Sequence, residues 1–77
     1  MERYIAVESP IGDTEETLLY VYAYPRIVET LVISAQDKST PGYEDRALRE
    51  LGYKSTDAWK PGNQFRDWRW CVCAPLP

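Results

Sequence analysis

Thr17-Leu18-Leu19-Tyr20-Val21-Tyr22-Ala23-Tyr24 is the stretch whose reading decides the fold. Leu19, Val21 and Ala23 alternate with Leu18, Tyr20, Tyr22 and Tyr24, the period of two that belongs to a β-strand with aliphatic residues on one side and rings on the other. Upstream, Tyr4-Ile5-Ala6-Val7 is a short apolar run inside Arg3 to Glu8 and reads as a second strand. Ser9-Pro10-Ile11-Gly12-Asp13 lies between the two and has strong turn chemistry, so the first two strands are expected to form a hairpin.

Downstream, Ile27 to Ser34 fits two periods. Ile27, Val28, Leu31, Val32 and Ala35 would line one side of a helix, whereas five β-branched residues in eight favour a strand, and a strand is the expectation taken. Thr40-Pro41 has the form of an N-cap followed by a first helical residue. Acidic Glu44 and Asp45 follow, then an apolar stripe of Tyr43, Ala47, Leu48 and Leu51, and Gly52 is placed to end the helix. Lys54 to Gln64, with Pro61-Gly62-Asn63 and Trp59 as its one large apolar residue, reads as a loop. Phe65 to Ala74 alternates as a last strand, and Pro75 and Pro77 are expected to stop its pairing. The predicted class is α+β: a three- to four-stranded antiparallel sheet in the order β-β-β-α-β, with one helix on one face.

The 77 residues suffice for a single domain spanning 1–77, because domains of roughly 60 residues already bury only about 60% of their unfolded surface. Three Trp, six Tyr and one Phe suit both a small core and interface anchors. The net charge of −3 argues against broad phosphate-backbone binding. It is uneven, with seven acids and three bases in residues 1–38 against five acids and six bases in residues 39–77. The sequence has no charged-then-apolar leader and no apolar run near the roughly 20 residues that cross a bilayer, so the expected location is cytoplasmic and no membrane partner is expected. Cys71 and Cys73 are then read as reduced, packed thiols; with no His in the chain they fall short of the four ligands of a structural zinc site. Without His, the usual general base for a Ser or Cys nucleophile is missing, so no catalytic residue, metal or cofactor is assigned. Asp13, Glu15 and Glu16 form an acidic turn, read as a solubilising loop or as a steering patch for a basic partner.

One helix can cover one face of a sheet, and the other face must be solvated or bind something. Tyr20, Tyr22 and Tyr24 are expected on that open face. Trp68 and Trp70 can join them or fill the core, since alternation alone does not say which side of the last strand faces inward. Arg66 and Arg69 complete the candidate partner-binding set. An aromatic sheet face also fits single-stranded nucleic acid, although Lys54, Lys60, Arg66 and Arg69 are the only clustered bases.

Three stretches carry a family resemblance: Val7-Glu8-Ser9, then Glu44-Asp45-Arg46-Ala47-Leu48 with Leu51 and Pro61-Gly62, then Arg69, Cys71-Val72 and Ala74-Pro75. In these the chain resembles the small phage-encoded inhibitor of bacterial RNA polymerase made by the T-odd phages, and in size and style it is similar to anti-CRISPR proteins. The resemblance implies a β-β-α-β sheet that grips its target through two strand arginines. One of those positions matches Arg69 and the other falls on Asp67, and residues 25–38 have no counterpart. The expectation is a non-enzymatic phage or prophage inhibitor, monomeric or homodimeric, that blocks a host protein assembly such as a CRISPR effector or RNA polymerase by occupying its surface. The alternatives are a single-stranded nucleic-acid-binding domain and a homodimeric structural subunit.

Overall fold

The computed structural model describes residues 3–63 and 66–77. Among them are six strands and two helices: β1 Tyr4–Pro10, β2 Thr17–Ala23, β3 Arg26–Ile33, α1 Ala35–Lys38, α2 Tyr43–Glu50, β4 Tyr53–Ser55, β5 Lys60–Asn63 and β6 Arg66–Pro75. The class is α+β and every strand pair is antiparallel. The sheet runs β3-β2-β1-β6-β4, with β5 also paired to β6. The first hairpin closes as expected, through the Ile11–Glu16 turn, where Thr14 N donates to Ile11 O at 3.1 Å. Ile27 to Ser34 resolves in favour of the strand: its β-branched residues lie along the sheet edge as β3.

Four expectations are corrected. The sheet has six strands rather than three or four, because the segment read as a loop contributes β4 and β5. Both are short, and both are held by the outer edge of β6: β4 along Cys73–Pro75 and β5 along the earlier part of the strand. A second helix, the single turn α1, follows β3, with Ser34 as N-cap accepting from Asp37 N. Thr40 and Pro41 do not start the long helix; Gly42 is its N-cap and Thr40-Pro41 belongs to the turn before it. Pro75 still sits in the ladder, opposite Tyr53 at the end of β4.

The end of α2 follows the sequence reading. Gly52 takes φ of 92°, a left-handed value that costs a residue without Cβ nothing, and its N–H bonds back to Arg49 O at 2.9 Å. Leu76 N then donates to Gly52 O at 2.8 Å, tying the end of the helix to the segment after β6.

The core lies between α2 and one face of the sheet. Register settles which side chains face it: Ala6 stands opposite Val21 on one side and Cys71 on the other, and Tyr4 opposite Ala23 and Cys73. Ala6, Leu19, Val21, Ile33, Cys71 and Cys73 therefore point at Ala47 and Leu48 of α2. Many of these are small, which lets an eight-residue helix approach the strands closely. Both cysteines are buried free thiols, and burial pushes Cys71 up to about 12 and Cys73 up to about 11, so they stay protonated and pack as small apolar groups.

Leu48 is the fully buried residue through which α2 meets the sheet. Leu48→Ala is expected to lower unfolding free energy by about 3 kcal/mol, measured by denaturant titration.

Candidate functional site

The face of the sheet turned away from α2 has no helix on it among the described residues. Alternation and register bring onto it Ile5 and Val7 of β1, Tyr20 and Tyr22 of β2, Ile27 of β3, and Trp68 and Trp70 of β6. These seven residues line one apolar groove of about 550 Å³. Val7 is its floor: it pairs with Tyr20 on one side and Trp70 on the other, and the two rings leave it only 8% exposed. The indole of Trp68 lies directly against Gly62, where a Cβ would collide with it, so β5 needs glycine at that point to let the ring settle. Lys60 Nζ stands 5.0 Å from the centroid of the Trp70 ring and 3.0 Å from Asp57 Oδ2, so one ammonium tethers the rim to the loop before β5.

Of the residues expected on this face, the structure brings together Tyr20, Tyr22, Trp68 and Trp70. Tyr24 lies just past the end of β2, 85% exposed, with its ring edge-on to Tyr22 at 6.5 Å; it stands beyond the groove and lines a separate depression with Tyr4 and Tyr53. Arg69 is on the opposite face, in register with Glu8 and with its Nε 3.2 Å from Glu44 Oε2. It does not join the groove. The side chain of Arg66 lies outside the described residues, as do Phe65 and the side chain of Asp67.

Charge is divided between the two faces. The sheet positions facing away from α2 carry no acid among the described side chains, and strand alternation adds Lys54, opposite Ala74, to the same side as Lys60. Glu8, Glu44 and Asp45 are on the helix side, and Asp13, Glu15 and Glu16 are in the exposed β1–β2 turn. An acidic chain thus presents an aromatic, lysine-edged surface.

No family model, curated protein or solved structure matches this chain. No helix among the described residues is long and apolar enough to cross a membrane.

A second cluster, which the sequence reading passed over, lies under the start of α2. Glu8 is 3% exposed because its position in β1 turns it toward the helix, between Leu19 and Arg69. Thr17 Oγ1 donates to Glu8 Oε2 at 3.4 Å, and Tyr43 and Glu44 both hydrogen-bond to Glu8 from the first turn of α2. Burial first, then the hydrogen bond to Glu8 and the charge of Glu8, push Glu44 up to about 8, against the opposing pull of Arg69. Glu44 is therefore held largely protonated at neutral pH, with a hydrogen bond to Glu8. Its Oε2 is within ion-pair range of Arg69 but off the line of a hydrogen bond. Burial also raises the Tyr43 phenol above its ordinary range, with the Glu8 hydrogen bond as the next cause. The only trace of this cluster in the sequence is the alternation of β1, which puts Glu8 on the same side as Ala6; Glu44 read as an ordinary first-turn acid. Nearby, Asp45 Oδ1 accepts from Trp59 Nε1 at 3.0 Å and from Ser55 Oγ at 3.2 Å, which fixes the segment around β4 against α2.

The carboxyl pair sets a pH dependence. The folded value of Glu44 is raised above its ordinary 4.5, so its contribution is complete below about 4.5 and is lost as pH climbs through about 8. The melting temperature is expected to fall between about pH 5 and about pH 8.5, by the equivalent of a few kcal/mol, and Glu44→Gln should flatten that slope in thermal melts followed by circular dichroism.

Proposed function

We propose that this chain is a non-enzymatic binding protein that occludes a surface of a larger protein assembly, in the manner of small phage-encoded inhibitors of host machinery. The groove of Val7, Tyr20, Tyr22, Trp68 and Trp70 is its docking site. The observation that carries this reading is the uncovered groove itself: rings and aliphatic side chains around a buried floor, on a face that no helix covers among the described residues. Exposed apolar surface of this kind costs solubility, and monomeric proteins retain it where it binds something. Trp and Tyr are also the side chains on which interface free energy concentrates.

Two features bear on the partner. Acids are missing from the described side chains of that face and lysines stand at its edge, which favours an apolar anchor carried on an acidic protein surface. The aliphatic residues Ile5, Val7 and Ile27 among the rings suit an inserted side chain better than a run of stacked bases. The cations are also few for tracking a phosphate backbone, and Lys60 is already paired with Asp57. The resemblance in the closing strand makes bacterial RNA polymerase the first target to try, and the likeness in size and style to anti-CRISPR proteins adds CRISPR effectors, in the cytoplasm of a bacterial host.

The test is capture of purified RNA polymerase or of a CRISPR effector by the tagged chain, with Trp70→Ala and Tyr22→Ala as folded variants. Loss of a buried aromatic anchor costs on the order of 2 kcal/mol, so each variant should bind at least roughly tenfold more weakly. Full capture by both variants, with circular dichroism unchanged, rules out the groove as the docking site. Capture that disappears on nuclease treatment, or an affinity for single-stranded oligonucleotides that falls steeply with salt, transfers the face to nucleic acid instead.

A further inference from the structure

The strand β3 has the composition of an interior strand and the position of an edge. It is the terminal strand of the sheet, paired only with β2, so its outer row of backbone N–H and C=O groups meets no strand among the described residues. Yet its residues Ile27, Val28, Thr30, Leu31, Val32 and Ile33 are the β-branched and aliphatic kind found where both flanks are covered. Ile27 is 54% and Val32 52% exposed. Lysine and proline, the usual guards of an edge, are missing from the strand itself. The irregularity opposite Val21 and Tyr22 confines the regular ladder to Glu29–Ile33.

Apart from Glu29 within the strand, charge runs along this edge in one direction. At the Ile33 end stand the acidic turn of Asp13, Glu15 and Glu16 and the Asp37 carboxylate of α1, with Lys38 as the neighbouring cation, its Nζ 3.4 Å from Glu15 O. At the other end Arg26 begins the strand, and the exposed Arg3 precedes Tyr4, whose partner Ala23 is also the partner of Arg26. Two copies laid parallel would bring like charges together. Laid antiparallel, they bring the arginine end of each against the acidic end of the other.

We propose that the free edge of β3 pairs antiparallel with β3 of a second copy of this chain, about a two-fold axis at Leu31. Within Glu29–Ile33 this register sets Leu31 against Leu31, Thr30 against Val32 and Glu29 against Ile33. Each pair shares a face of the sheet, as strand pairing requires. Continued outward, it carries Arg26 of one copy toward Asp37 of the other. On the helix side the seam opens onto a recess of about 260 Å³ between β3 and α2, lined by Leu31, Ile33, Tyr43 and Ala47 among others, into which the opposing Leu31 can pack. The seam is about 17 Å long for five residues and stays below the roughly 800 Å² per partner of a standard interface, so the dimer is weak and concentration-dependent.

This pairing is independent of the groove reading, and its test separates the two. Sedimentation equilibrium from micromolar to millimolar chain is expected to show reversible dimerisation that weakens with added salt. Val32→Lys, which puts an ammonium on the seam at an exposed position, should abolish it. Arg26→Glu should weaken it roughly fivefold, and Arg26→Glu with Asp37→Arg should restore it, since the charges are then exchanged at both ends. Trp70→Ala should leave it unchanged. A chain that stays monomeric up to millimolar overturns the proposal. So does a dimer indifferent to Val32→Lys, or one broken by Trp70→Ala, which would put the contact on the aromatic face. Failure of the double variant to restore association overturns the antiparallel register.

Discussion

One eight-residue helix must serve a six-stranded sheet, and most of the structure follows from that shortage. An amphipathic helix of two turns can shield only a narrow band of strands. The chain responds by placing small side chains, Ala6, Ala23, Cys71 and Cys73, in the middle of the covered face, so that Leu48 reaches the sheet and seals the core. Tyr4, Tyr53 and Trp59 pack against the core cluster, and four other rings stand on the opposite face. Trp68, Trp70, Tyr20 and Tyr22 shelter one another and Val7, which leaves that surface apolar without a covering layer. Core and groove are thus two results of one allocation of volume.

The same shortage explains the polar cluster under α2. The first turn of the helix ends over Glu8, which strand alternation has turned inward, and among the described residues Tyr43, Glu44 and Thr17 hydrogen-bond to it while Arg69 stands opposite in register. A carboxylate so enclosed is tolerable because a neighbour keeps a proton for it. The helix is anchored at this end by the hydrogen bonds of Tyr43 and Glu44 to Glu8 and at its side by Leu48, with the Trp59 and Ser55 hydrogen bonds to Asp45 closing the β4 flank.

How much of this was legible in the sequence depended on whether a local pattern or a distant partner decided it. The alternation of Thr17–Ala23 marked both faces of β2 correctly, and the β-branched content of Arg26–Ile33 outweighed its helical period. The inward side of β6 could not be read from β6, because both of its sides mix apolar residues with charged ones; the pairing of Ala6 with Cys71 decides it. The same pairing puts Arg69 on the helix side, away from the groove. The strands β4 and β5 escaped because three or four residues containing Pro and Gly carry no period; they are extended only because the edge of β6 holds them. Thr40-Pro41 imitated a helix start that Gly42 supplies two residues later.

The position of β6 also governs how the chain can acquire its structure. It is the last strand in sequence, yet it lies inside the sheet, with β1 on one side and β4 and β5 on the other. On the ribosome the β1-β2-β3 meander and α2 emerge first, with Cys71 and Cys73 of their shared core still missing. Until Cys71 and Cys73 leave the exit tunnel, the inner edge of β1 has no partner and Leu48 lacks part of its floor. The sheet can therefore close only once residues 66–75 have been synthesised, and until then the apolar side of the meander stays exposed.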